Sequence, residues 1–283
     1  MSGERQLQHR LCGTDELPKD QQAQVEQELR EYVQKAGKQA LDNARKSTVT
    51  INVYWHTLHD SSGTGRTTEA QITKAMEVLN TAFSGGESLY SECNGLFTYE
   101  STISTPFRFE LVGIYETEDD AGFDLDSDDS DDLRSSLRNG NCADLNIFTG
   151  TTTSLGLAYL PPSCPSSDGL SVQNELDAVM ILHTSLPDGA LTTFNEGDTI
   201  VHKVGHWLGL DHTFLGGCFG DGDSVADTPA EASPGFGCDI GRDTCATIAG
   251  DDPIHNYMDY SDDCCMYRFT EDQVDRMIAQ VGS

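Results

Sequence analysis

The sequence predicts an α+β fold in two parts: a first half of alternating strands and helices, and a second, irregular half stapled by disulfides. Three observations carry this reading. Period-two and helical apolar patterns alternate from residue 48 to about residue 210. From Asp211 to Tyr260 the chain becomes rich in Gly, Pro, Asp and Cys and loses periodicity. Nine cysteines in 283 residues favour an oxidising compartment, and an odd count leaves at least one thiol outside any internal pairing. The length suits one large domain, or a domain with a short appendage.

Taken in order, residues 19–46 are polar and rich in helix formers. Val25, Leu29, Val33 and Leu41 give them a thin apolar stripe, which predicts one surface helix outside the main core. Alternating Val49, Ile51, Val53 and Trp55 predict a strand over 48–58. Thr68 with Gln71 makes a capping-box pattern ahead of a helix whose apolar face carries Ile72, Met76, Leu79 and Phe83. A second strand runs through Phe107, Phe109, Leu111 and Ile114. Between Glu116 and Asp132, ten of seventeen positions are carboxylates, which predicts a solvated loop held open by self-repulsion. Within it, Asp124, Asp126 and Asp128 begin like an EF-hand calcium loop but lack its Gly and closing Glu. Strands are expected at 144–149, 155–160 and 178–182, then a helix from about Asn195 to Leu210. A short helix over 271–281, with Thr270 as N-cap, closes the chain.

Seventeen basic against 47 acidic residues leave a net charge of −30. Nucleic-acid binding needs clustered positive charge, and so does attraction to anionic membranes, so both are excluded as partners. No apolar run reaches the roughly 18 residues of a membrane-spanning helix. Met1-Ser-Gly-Glu-Arg has no signal-peptide h-region, whereas the cysteines favour secretion. The expectation is a secreted protein whose leader is absent from these residues.

The chemistry concentrates in His202-Lys203-Val204-Gly205-His206-Trp207-Leu208-Gly209-Leu210-Asp211-His212. Helical residues four apart lie about 40° apart around the axis, so His202 and His206 share a face. Gly209 permits the left-handed turn that would bring His212 round as a third imidazole. Three imidazoles with an open fourth position are the donor set of a catalytic zinc site. The remaining histidines, His9, His56, His59, His183 and His255, are expected to be ordinary surface or core residues.

His202–Phe214, Asp227-Thr228-Pro229-Ala230-Glu231, Gly241-Arg242-Asp243-Thr244-Cys245 and Asp252–Tyr260 together resemble the signatures of the pappalysin (cytophagalysin-like) family of metzincin metallopeptidases, close to secreted fungal-type extracellular metalloproteases. The resemblance covers roughly residues 47–283. It implies an upper subdomain of twisted mixed sheet with two helices, and a lower, disulfide-stapled subdomain with the Met-turn and the C-terminal helix. It implies zinc on His202, His206 and His212, cleavage of polypeptides, Met258 packed beneath the metal, and Tyr260 steadying the oxyanion. Asp263 would lie in the S1′ pocket and favour Arg or Lys after the scissile bond. Calcium is implied after the third histidine, where Asp221, Asp223 and Asp227 stand among glycines. Two disulfides are implied, Cys218–Cys245 and Cys238–Cys265. The position of Cys142 and Cys164 beside the cleft strands suggests a third, which leaves Cys93 and Cys264 unassigned.

Two features complete the expectation. Arg10-Leu11-Cys12-Gly13-Thr14 resembles an element near the start of pappalysin-type precursors. Residues 1–46 would then be a latency segment, with Cys12 reaching the metal, and 47–283 the catalytic domain. A disulfide or an inert thiol is the competing fate of Cys12. The family carries its general-base Glu where this chain has Lys203. A positioned base is worth about 10²–10⁴ in rate, so turnover by this chain is expected to be weak or absent. A natural pseudoprotease, a recently inactivated enzyme and an altered sequence all fit Lys203. The competing functions are a peptide-binding module that does not cut and an acidic calcium-binding protein.

Overall fold

The computed structural model describes residues 9–86, 93, 95–97, 102–160 and 176–282. Its centre is a five-stranded sheet: β1 (Val49–His59), β2 (Phe107–Glu118), β3 (Leu145–Gly150), β4 (Gly156–Ala158) and β5 (Val179–Leu182), in the order β2-β1-β3-β5-β4. β1 pairs parallel with β2 and β3, and β3 parallel with β5; only β4, at the edge, is antiparallel. Every residue of β3 and β5 is buried, as strands covered on both faces require.

One face of the sheet is covered by α3 (Glu69–Phe83) and α5 (Asp198–Trp207). Ile51, Val53 and Trp55 meet Ile72, Leu79 and Phe83 of α3 and Ile200, Val201 and Val204 of α5 in the main core. The Thr68–Gln71 capping box forms as the sequence predicts. The opposite face buries Leu58, Phe148 and Met180 beneath Leu125 and the Leu133 and Leu137 side chains of α4 (Asp128–Leu137). α6 (Glu271–Gly282) is capped by Thr270, whose Oγ1 accepts from Gln273 N at 3.2 Å.

The structure corrects several sequence expectations. Residues 19–46 are two helices, α1 (Lys19–Ala36) and α2 (Lys38–Arg45), because Gly37 takes φ 75° between them. α1 packs Val25 and Leu29 on Ala279 of α6, while Arg45 at the end of α2 pairs with Asp275 at 2.6 Å. The acidic run 116–132 is not one loop. β2 continues to Glu118, and α4 begins at Asp128 behind a Ser127 cap. Asp128, Asp129 and Asp131 fall in the first turn, where the positive end of the helix dipole favours them. Asp126 accepts from Thr152 Oγ1 and Thr153 N, so the EF-hand-like spacing serves loop closure. The strand expected at 155–160 is only β4. A Cβ on Gly156 would come within 2.2 Å of Met180 O, so the two strands approach more closely than side chains allow. The helix expected at 195–210 is trimmed to α5 by left-handed glycines, Gly197 before it and Gly209 after it.

The lower half has almost no repeating structure before α6. Disulfides join Cys218 to Cys245 and Cys238 to Cys265, and a third joins Cys93 to Cys264. Cys142 is also disulfide-bonded; its suggested partner Cys164 lies outside the described residues. Cys12 is free.

Candidate metal centre

The end of α5 builds the site. Gly209 N donates to His206 O and Leu210 N to Gly205 O, a Schellman turn about Gly209 at φ 90°. That turn returns the chain so that His212 faces His202 and His206. His206 Nε2 lies 3.1 Å from His202 Nε2 and 3.0 Å from His212 Nε2. His202 Nδ1 is bonded to Tyr257 O at 2.6 Å and His206 Nδ1 to Leu210 O at 2.7 Å. A carbonyl can only accept, so each Nδ1 carries the proton and each Nε2 presents a lone pair to the centre. Burial lowers the pKa of His202 and of His212, which keeps both rings neutral. Neutral imidazoles aimed lone pair to lone pair repel one another unless a cation lies between them. This is the donor set zinc takes.

The floor is built by the turn after His255. Met258 is fully buried, and a Cβ on Gly205 would fall 2.5 Å from its sulfur, so α5 needs glycine there. Asn256 holds this turn to α6 by exchanging two bonds with Gln273, at 2.9 and 3.1 Å. Thr213 donates to Glu231, which pairs with Arg242, so the chain beyond His212 is anchored from below. Tyr260 is half-buried with its ring 5.0 Å from that of His212. Burial pushes its phenol pKa up, so the hydroxyl keeps its proton.

Residues 10–14 lie in the cleft. Leu11 O accepts from Leu155 N, Gly13 N donates to Gly156 O, and Ala158 N donates to Thr14 Oγ1, so the segment runs parallel to β4. Cys12 Sγ stands 3.5 Å from His206 Nε2 and forms, with the three histidines, one of the two convergent metal-capable groups among the described residues. The other contains the Cys238–Cys265 disulfide with His255, and its sulfurs are already spent. Burial opposes ionisation of Cys12, but Lys203 and His206 outweigh it and bring the thiol pKa well down. Lys203 is buried in α5, and its Nζ donates to Cys12 Sγ. It has no carboxylate partner among the described residues.

Arg10 is 1% exposed and enters a pocket beside the triad. Its Nε donates to Ser261 O at 3.0 Å and Nη1 to Thr199 Oγ1 at 3.4 Å; Nη2 pairs with Asp263. The guanidinium lies 5.3 Å from the Phe194 ring centroid. Asp263 also accepts from Glu196 N and Gly197 N, ahead of α5. The sequence reading missed Thr199, Ser261 and Phe194. The available signal was the complement between a carboxylate expected to take arginine and an arginine two residues before Cys12.

Other expectations resolve differently. Asp221, Asp223 and Asp227 do not converge: Asp223 accepts from Val225 N, and Asp227 accepts from Asp272 N at the start of α6. The calcium expectation is therefore not supported. His56 is stacked on Phe148, His59 pairs with Glu116, His183 bonds Gly150 O, His255 bonds Cys265 O and His9 packs on Phe236. Each of the five has a packing or hydrogen-bond partner away from the three-histidine cluster.

Comparison with known proteins agrees with this architecture. Residues 139–282 match the family described as Pregnancy-associated plasma protein-A. An extracellular metalloprotease of Colletotrichum graminicola is 38% identical over 275 residues, covering 96% of this chain and 90% of that protein. One from Neurospora crassa is 38% identical over 270 residues, covering 94% and 86%. Among solved structures, mature mirolysin of Tannerella forsythia in complex with a cleaved peptide is 28% identical, with a TM-score of 0.65 over 82% of this chain and 90% of that one. A promirolysin mutant from the same organism is 27% identical, with a TM-score of 0.69 over 95% and 93%. No helix among the described residues is long and apolar enough to cross a membrane. The chain has the α+β metzincin fold and belongs to the pappalysin family of metallopeptidases.

Proposed function

We propose that this chain is a secreted zinc endopeptidase of pappalysin type, held latent by residues 1–46 and slowed in turnover by Lys203. The observation that supports it most is the convergence of three imidazole Nε2 atoms on Cys12 Sγ beside the edge strand β4. His202, His206 and His212 would hold zinc, with Cys12 thiolate closing the fourth position in the latent state. Zinc bound there supplies Lewis acidity, polarising a carbonyl and activating water.

The chain's own residues do the rest. Leu155 N, Gly156 O and Ala158 N, now used by the segment, would pair with an extended substrate running antiparallel to β4. The Tyr260 hydroxyl would donate to the oxygen that gains negative charge. Asp263, Thr199 and Ser261 O would take a substrate arginine as they take Arg10. Because the segment runs parallel rather than antiparallel, it fills the cleft without presenting a bond for cleavage. Position 203 should accept the proton of the attacking water. An ammonium cannot accept it. Burial lowers the Lys203 pKa towards a neutral amine, while the Cys12 thiolate beside it favours the charged form. A second reading, a protein that holds peptides without cutting them, is favoured by this same buried Lys203–Cys12 contact.

Zinc content tests the site independently of turnover. The purified chain should carry about one zinc and the His206→Ala variant almost none. No zinc in the unsubstituted chain, or equal zinc in both, refutes the assignment.

A further inference from the structure

We infer that the cleft takes two adjacent basic side chains: an arginine in the pocket that holds Arg10, and a second cationic side chain on a ledge formed by Phe236 and Asp262, where His9 lies. The inference rests on the proposal that residues 10–14 occupy the peptide-binding cleft. His9 is the residue beyond Arg10, counted away from Cys12. Its ring centroid stands 4.8 Å from that of Phe236, with the planes inclined by 45°. Asp262 is close enough to respond to both side chains: burial raises the pKa of its carboxyl, and Arg10 and His9 each act to lower it. An aromatic face beside a carboxylate suits a cation. The ledge is held in place from below. Asp262 N donates to Gly237 O at 3.0 Å, and Gly235 N donates to Oδ1 of the buried Asp259 at 2.9 Å. A Cβ on Gly235 would fall 2.5 Å from Asp259 Oδ2, so the turn sits as close as glycine allows. Phe236 is thereby fixed with its ring 6.3 Å from that of Tyr260, and it remains 42% exposed.

The arginine pocket supplies a field for the second charge. Arg10 bonds to Ser261 O, Thr199 Oγ1 and Asp263, and it also acts to lower the carboxyl pKa of Asp198, which is 5% exposed. One guanidinium therefore faces three carboxyl groups, Asp198, Asp262 and Asp263. The excess negative charge favours a second cation beside the first. His9 is itself exposed, so it covers the ledge only in part. An arginine there would lay a planar guanidinium on Phe236 with Asp262 in reach. A substrate would run against the direction of the segment, but the residue after its arginine would still lie on the side away from the three histidines, over the same ledge. The substrate class is an unstructured polypeptide with two adjacent basic residues.

The segment itself can serve as the probe in the full chain. Cys12 is the free thiol, and its alkylation rate after metal removal reports how tightly the segment docks. Measured against His9→Ala, His9→Arg should slow alkylation about fivefold and His9→Glu should speed it about threefold. Leu11→Arg and Leu11→Glu, at a neighbour that is 48% exposed, measure what the overall charge of −30 contributes, and the spread between them should be smaller. Combining Phe236→Ala with Asp262→Asn should shrink the spread at position 9 to that at position 11. A spread at position 9 no larger than at position 11, or one unchanged by the double substitution, would overturn the ledge while leaving the docking reading intact. A thiol as reactive in the native chain as in the denatured one would overturn the docking itself, and the ledge with it.

Discussion

Lys203, Arg10 and Gly205 each show how one side chain sets the state of the cleft. Lys203 is buried and its Nζ donates to Cys12 Sγ, so the residue proposed to stand in place of the base also contacts the segment. Arg10 and Asp263 are almost fully buried, and removing one partner of such a pair typically costs about 3–5 kcal/mol. Arg10→Ala should therefore undock the segment, seen as faster alkylation of Cys12. Arg10→Lys should recover only part of the protection, because an ammonium has no Nε–H to give Ser261 O. Gly205 faces the Met258 sulfur with no room for a methyl group. Gly205→Ala should lower stability by about 1–3 kcal/mol, read as a fall in Tm. The histidine spacing was legible in the sequence because two turns of helix and a glycine turn place those rings by local geometry. The Lys203–Cys12 contact was not, since it joins residues 191 apart and depends on how the N-terminal segment docks.

At the scale of elements, α5 and α6 carry the site between them. Gly209 ends α5 in a left-handed turn, and its carbonyl accepts from Arg276 of α6 at 2.8 Å. The Asn256–Gln273 exchange ties the turn beneath the three histidines to the same helix. Gln273→Ala should leave the buried Asn256 Nδ2 without its acceptor, while Oδ1 keeps Met258 N, at a cost of about 1–3 kcal/mol, with zinc binding weakened in parallel. Titration of zinc into the metal-free variant measures this; unchanged affinity would show that the turn does not need its tether. α5, α3 and the long strand β1 were legible because each buries one regular face. The split of 19–46 at Gly37 and the helix α4 were not. Apolar periodicity is weak in both, and in α4 the acidic composition that suggests repulsion in solution instead suits a helix N-terminus. β4 was overestimated because a strand so short is defined by its partner rather than by its own pattern.

For the whole molecule, the acidic composition extends beneath the surface, beside α5 and in the lower half. Burial raises Glu196 and Asp223 to about 7, Glu231 to about 8 and Asp259 to about 6. Each of these folded pKa values lies above the unfolded value, so these carboxyls bind more protons in the native state between about pH 4.5 and pH 8, while the lowered pKa values of Cys12 and, below about pH 6.5, of His56, His202 and His212 act the other way. Stability of the metal-free protein should therefore rise as the pH is lowered from about 7.5 towards 6.5, where the carboxyls outnumber the opposing groups. Denaturant midpoints across that range check the sign; a midpoint that falls on acidification contradicts it. Family and fold were legible at this scale because the histidine motif and the lower-half signatures are contiguous in sequence. The disulfide joining Cys93 to Cys264 was not, because the two cysteines lie 171 residues apart with no intervening pattern. The central claim, a peptidase cleft intact except for its base, is tested most directly by cleavage of an unstructured arginine-containing protein. The assay would compare Cys12→Ala with Cys12→Ala/Lys203→Glu, both loaded with zinc. Restoring the carboxylate should raise kcat by about 10²–10⁴. Equal rates in the two variants would contradict the account.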